Sequence, residues 1–278
     1  MNRRDLLTAS LAAATLGLAP RLASAAVDFT PIPNGWRTFA LTTKVEPTFA
    51  TRAWIPLPTF SESDWQRPGK TNWTSNAKLA ERVRDPKYGM EMLRVEWSAD
   101  QQNPSIDVTT EVQTQDRAVR PGVGKAASLS AEERHINLMA IDLLPVDGIV
   151  KETADGIVRG KAKDVDKAQH CRAEVWLSGS GWTPSDPTDV RKVVLEEPPT
   201  NLAMADLKVM AARKTLFGAW EGNWLAFNVA HDVKLPGSGY TEALPFLMYP
   251  QAEDKSGLVD PLDADAFKYK ITAREVKA

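Results

Sequence analysis

Alternation of apolar and polar residues dominates the chain from about residue 27 to about residue 120. The segments TFALTTKVE, RAWIPLP, MLRVEW and IDVTTEVQT are rich in β-branched and aromatic residues, and Pro, Asn, Asp and Gly fall between them. That spacing predicts the strands of a β-rich layer. Trp36, Trp54, Trp65, Trp73 and Trp97 lie in it, where tryptophans serve mainly as packing. Near residue 120 the period changes. RPGVGKAAS reads as a linker, and its Gly-Val-Gly-Lys lacks the spacing and hydroxyl of a phosphate loop. Ser130 and Glu133 form a capping box, and Ile136, Met139, Ala140 and Leu143 recur at helical spacing. Pro145 ends that helix. Ile149, Val150, Ile157 and Val158 predict a second one, closing at Gly160. Asp164 then offers the start of a third helix, but Gln169-His170 follows at once and the pattern turns to strand. A helix start with no helix behind it is a conflict that foldable sequences avoid.

The strand HCRAEVWL runs through a Ser-Gly-Ser-Gly turn into GWTPSD. Strand alternation assigns His170, Arg172, Glu174 and Trp176 to one face and Cys171, Ala173, Val175 and Leu177 to the other; the second set is apolar and predicts the core face. The returning strand brings Asp186 toward His170. A carboxylate beside an imidazole fixes its tautomer and stabilises the imidazolium formed when it deprotonates a thiol or hydroxyl. A hydrogen-bonded structural histidine is the plainer use of the same pair. Past Asp189 a polar stretch leads to NLAMADLKVMAARKTLF, where Ala203, Leu207, Met210 and Phe217 line one helical face. Short strand-like pieces broken by Pro and Gly complete the chain.

Composition narrows the function. The 278 residues are 43% hydrophobic and 25% charged with a formal net charge of −2, which suits a globular protein and speaks against a nucleic-acid partner. The N-terminus MNRRDLLTASLAAATLGLAPRLASAA has paired arginines (Arg3, Arg4), an apolar run from Leu6 to Ala19 that is too short to span a bilayer, and Ala23-Ser24-Ala25. It predicts a removable twin-arginine export signal over residues 1–25, a periplasmic location and no membrane span in the mature chain. Cys171 is the single cysteine, so no internal disulfide is expected. Three histidines, His135, His170 and His231, without an HExxH motif or a second cysteine, predict neither metal nor cofactor. Asn228 and His231-Asp232 read as turn or capping residues, with a polar site near the core as the alternative.

HCRAEVW and GSGWTPSDPTDVRK resemble the His and Asp segments of bacterial transglutaminase-like proteins, a superfamily with a papain-like, amide-processing fold. RAWIPLP, DGIVKETADGIVRG, WEGNWLAFNVAHDVKLPGS and FLMYPQAE extend the resemblance over nearly all of the mature chain. It implies an α+β fold: signal at 1–25, a β-sandwich-like domain at 26–125, a truncated transglutaminase-like (papain-like) core at 126–200, and a helix-plus-β C-terminal extension at 201–278. It also implies His170 as general base and Asp186 as its orienting carboxylate. The family's nucleophile is a cysteine at a helix N-terminus well upstream of the His strand, in a Gly-x-Cys-x-Asp-like stretch. No such segment exists here, and the seam falls between Ala168 and Gln169.

The expectation is therefore an exported protein with the His and Asp of a Cys-His-Asp triad, no nucleophile, and no activity. Two alternatives stand beside it. One is an active cysteine amidase, peptidase or transglutaminase-type enzyme using Cys171, which neighbours His170 on the opposite, apolar face of the strand. Ser178 and Ser180 on the turn have no separate base. The other is a periplasmic β-module that binds glycan or peptide through its tryptophans. The resemblance points to protein, peptide or cell-wall partners, and the deletion to self-association through the apolar face it exposes.

Overall fold

The computed structural model describes residues 31–32, 34–48, 51–62, 64–122, 124, 128–138, 158–163, 170–263 and 265–276, with the backbone alone at 138, 158–163, 170 and 171. Among these residues strands far outnumber helices. The strands β1 (Arg37–Pro47), β3 (Gln66–Ser75), β6 (Ile106–Thr114) and β15 (Phe267–Val276) form an antiparallel sheet in the order β15-β1-β6-β3. A second antiparallel sheet runs β14-β13-β2-β5-β4, from β2 (Arg52–Pro56), β4 (Leu79–Arg84), β5 (Glu91–Glu96), β13 (Gln251–Asp254) and β14 (Gly257–Val259).

One core joins the two sheets. Val45, Ile106, Val108 and Phe267 from the first meet Ala53, Ile55, Leu93, Val95 and Ala252 from the second. Their alternation with solvent-facing polar residues is what a two-sheet stack demands. Trp54, Trp65 and Trp97 are buried, Arg67 stacks its guanidinium 4.0 Å from the ring centre of Trp36, and Trp73 on β3 is 36% exposed. β15 pairs with β1 from Thr38↔Val276 to Pro47↔Phe267. The segment expected as a C-terminal extension thus contributes strands to the same sandwich as the N-terminal residues.

β1, β2, β5 and β6 coincide with the four expected strands. β3 and β4 do not announce themselves in the sequence. β3 contains Pro68 and Gly69, which argue against a central strand, but it lies at a sheet edge where proline's missing donor is harmless. Its register slips between Pro68 and Thr71. β4, also an edge, is clamped to β5 by charge: Arg94 donates to Glu81 at 2.9 Å and Arg82 lies 3.2 Å from Glu91.

A third sheet, β10-β9-β8-β12, comprises β8 (Val158–Lys163), β9 (His170–Leu177), β10 (Gly181–Ser185) and β12 (Ala226–Asn228), while β7 (Arg117–Ala118) and β11 (Ala219–Trp220) make a short ribbon. Buried Gln66 braces the sandwich to β12. Its amide donates to the carbonyls of Phe60 and Ala226 at 2.8 and 2.7 Å and accepts from the Ala226 N–H at 2.7 Å.

Helix α1 (Ala131–Leu138) opens with the expected capping box: Glu133 N–H donates to Ser130 Oγ at 3.1 Å, and Ser130 N–H donates to the Glu133 carboxylate at 2.9 Å. The expected continuation at Met139–Leu143, the helix from Ile149, the helix start at Asp164 and the signal at 1–25 lie outside the described residues. The expected helix end at Gly160 is corrected by the structure, because Val158–Lys163 is strand β8, paired with β9 from Val158↔Val175 to Lys163↔His170. An interior glycine costs a helix about 1 kcal/mol, whereas here the backbone finds a complete ladder partner.

Helix α2 (Pro187–Glu196) occupies what read as a polar stretch; Asp186 caps it and Pro187 opens it. Helix α3 (Leu207–Leu216) buries Val209 and Ala212 against Val193, Val194 and Leu202, and its Leu216 is also buried. The row read as one helical face lies outside: Leu207 is 83%, Met210 51% and Phe217 42% exposed. The cap at Asp206 starts the helix at Leu207, so Ala203 precedes it and Val209 and Ala212 meet α2 instead.

Candidate functional site

β9 and β10 form a hairpin whose turn needs glycine: Gly179 and Gly181 have φ of +82° and +80°, in the region that penalises a Cβ. Ser185 pairs with Ala173, so Asp186 emerges one residue beyond, opposite Arg172. The Arg172 and Asp186 side chains are wholly buried, and Arg172 Nε lies 2.5 Å from Asp186 Oδ2. Asp186 Oδ1 accepts from the Asp189 N–H at 3.0 Å, capping α2. Arg172 Nη2 reaches Glu221 at 3.2 Å and Asp189 at 3.5 Å, and the guanidinium lies 3.9 Å from the ring centre of Trp224. Burying a guanidinium costs several kcal/mol unless counter-charges and planar partners surround it. Here three carboxylates and an indole do so.

The next residue on this face of β9 repeats the device. Buried Glu174 pairs with Arg117, which also donates to the Trp182 carbonyl at 2.9 Å and lies 5.5 and 5.1 Å from the rings of Trp65 and Trp220. Ala173, between them, and Val175, just after Glu174, are only half-buried. From Arg172 to Val175 the expected assignment of the β9 faces is therefore reversed. Charge suggested an outward face, but each charge is matched by an opposite one and sealed by tryptophan.

His170 is the first residue of β9, opposite Lys163, and Cys171 follows it, opposite Ala162. Both side chains lie outside the described residues. Ser180 is a clasp: its Oγ accepts from the Gly122 N–H at 2.7 Å and donates to the Arg120 carbonyl at 3.3 Å. Asn228 donates to the Leu247 carbonyl and accepts from the Ala230 N–H, both at 3.1 Å, a turn-stabilising role. Sequence reasoning passed over Arg172, Glu174, Arg117, Glu221 and Trp224. An Arg-x-Glu pair in a short strand, in a chain rich in tryptophan, is the signal that could have found them.

A second polar group sits on the sandwich. Tyr88 Oη lies 2.5 Å from His231 Nε2, and His231 Nδ1 lies 3.5 Å from Asp232, which also faces Lys87 at 3.5 Å. Burial pushes the imidazole below its ordinary pKa, against the pull of Asp232, and raises the Tyr88 phenol. Among the described residues no group of three His, Cys, Asp or Glu side chains could hold a metal, and no helix is long and apolar enough to cross a membrane.

Fold and site together define a mainly β protein with few helices, organised around buried arginine–carboxylate pairs. No family model matches the chain. It is 24% identical to an uncharacterized protein of Haemophilus influenzae over 326 aligned positions, covering 81% of this chain and 86% of that protein. Among solved structures, a candidate cysteine protease from Cytophaga hutchinsonii aligns with 90% of this chain and 94% of its own at 10% identity and a TM-score of 0.38, a likeness too loose to establish a shared fold.

Proposed function

We propose that this chain is an exported, periplasmic protein of transglutaminase-like descent that has lost the segment bearing its nucleophile and no longer performs amide chemistry. In this account residues 1–25 are the signal, 126–200 the remnant of the core, and the flanking β regions at 26–125 and 201–278 its scaffold. The missing upstream cysteine carries the conclusion. Asp186 is 1% exposed, sits against Arg172 and caps α2, the buried setting of an orienting carboxylate, but the sequence has no cysteine before His170 to serve as the nucleophile. Only residues 164–169 join β8 to β9 across the paired ends Lys163↔His170, and a typical helix needs about 10 residues. The alignment with the Haemophilus influenzae protein spans 326 positions although this chain has 278 residues, so that protein carries residues with no counterpart here.

The test is turnover. Purified protein is assayed for hydrolysis of peptide amides and for transfer of a glutamine side chain to a primary amine. The expected rate equals the uncatalysed one; turnover that disappears in His170→Ala would overturn the proposal.

A further inference from the structure

A cleft of about 540 Å³ opens where α3 meets the ribbon of β7 and β11. Ala211, Lys214 and Phe217 form one wall, and the run from Ala118 to Pro121 the other. Its floor is fixed by a close approach: Val119 N–H donates to the Gly218 carbonyl at 2.6 Å, and a Cβ on Gly218 (φ +108°) would fall 2.7 Å from the Val119 carbonyl oxygen. Next to the cleft, the outward side of α3 presents Leu207, Met210 and Phe217, respectively 83%, 51% and 42% exposed, and Met204 just before the helix is 56% exposed. Apolar side chains clustered in this way mark interaction sites on soluble proteins.

Among the described residues the charge lining the cleft has one sign. Arg120 and Lys214 line it, and among those residues no carboxylate does. Helix α3 carries Lys208, Arg213 and Lys214 and no acidic residue. Lys208 is paired with Glu197 at 3.1 Å, whereas Arg120, Arg213 and Lys214 have no ion-pair partner among the described residues. A two-fold dimer through α3 would set its cations against their own copies, so the face is not self-complementary.

We propose that this face docks an acidic peptide segment of a partner protein. One large apolar side chain of the segment enters the cleft beside Ala211 and Phe217, and its carboxylates pair with Arg120 and Lys214. Apolar anchors flanked by complementary charge are a recurrent mode of peptide capture. This docking does not depend on the loss of the nucleophile.

A displayed library of random nonapeptides tests it, selected on the wild-type chain, Lys214→Glu and Phe217→Ser. Both positions are exposed, and thermal unfolding checks that each variant folds. The wild type is expected to enrich peptides in which Asp or Glu flanks Leu, Met, Phe or Trp. Their affinity falls at least tenfold in either variant and drops with added salt. The proposal is overturned if no such sequences are enriched, if enrichment is unchanged in Lys214→Glu, or if the face instead retains phosphatidylglycerol vesicles and no peptide.

Discussion

Arg172 is held in place by the groups around it and in turn allows them to be buried. Removing it as Arg172→Met takes the charge partner from buried Asp186, which costs about 3–5 kcal/mol in comparable settings. Urea unfolding should show that loss, and adding Asp186→Asn, which keeps the cap acceptor, should recover part of it. A different residue sets the response to acid. His231, faced by Tyr88, Lys87 and Asp232, has a folded pKa lowered by burial from the ordinary 6.5, so the unfolded chain binds its proton more readily. Its contribution to stability is present above pH 6.5 and is lost as the pH falls through the lowered folded value. The slope of melting temperature between pH 7 and pH 5 should be shallower in His231→Gln; an unchanged slope would remove His231 from the account. At this scale the sequence was a partial guide. His170, Cys171 and Asp186 stand out as residue types, but Arg172 and Glu174 read as surface because their partners, Arg117 and Glu221, come from distant elements.

Elements were legible where burial imposes a period. β1, β2, β5 and β6 each have a buried face, and their alternation shows it; Ser130 and Glu133 mark the start of α1 by local hydrogen bonding alone. β3, β4 and α2 were not legible. The first two are edge strands stabilised by a partner's ladder and by cross-strand charge, and α2 hides its apolar side, Val190, Val193 and Val194, among charged residues. α3 was seen as a helix, but the row that marked it faces outward, because both of its sides carry apolar residues and only the neighbour α2 decides between them. Paired substitutions measure that choice. Leu216→Ala, at a residue 1% exposed, should cost about 2–5 kcal/mol, whereas Leu207→Ala, at 83% exposure, should stay within about 0.5 kcal/mol in denaturant unfolding. Equal losses would contradict the observed orientation.

The whole molecule is closed by its C-terminus. β15 pairs with β1 along its length and places Phe267 and Ile271 in buried clusters. A chain ending at Ala266 should therefore lose the cooperative unfolding transition of the sandwich by circular dichroism; a native-like transition would mean that residues 267–278 are dispensable. No local pattern revealed this closure, since pairing between residues 38 and 276 is a property of the fold and not of either segment. Function rests on the same scale, on whether the chain around His170 still contains a working nucleophile. The most direct measurement is the rate of Cys171 alkylation by iodoacetamide at pH 6, in wild type and in His170→Ala. A thiolate paired with imidazolium reacts well below the ordinary thiol range. Slow labelling at pH 6 at the same rate in both proteins is the predicted result. Rapid native labelling at pH 6 that His170→Ala abolishes would contradict the lost-nucleophile account.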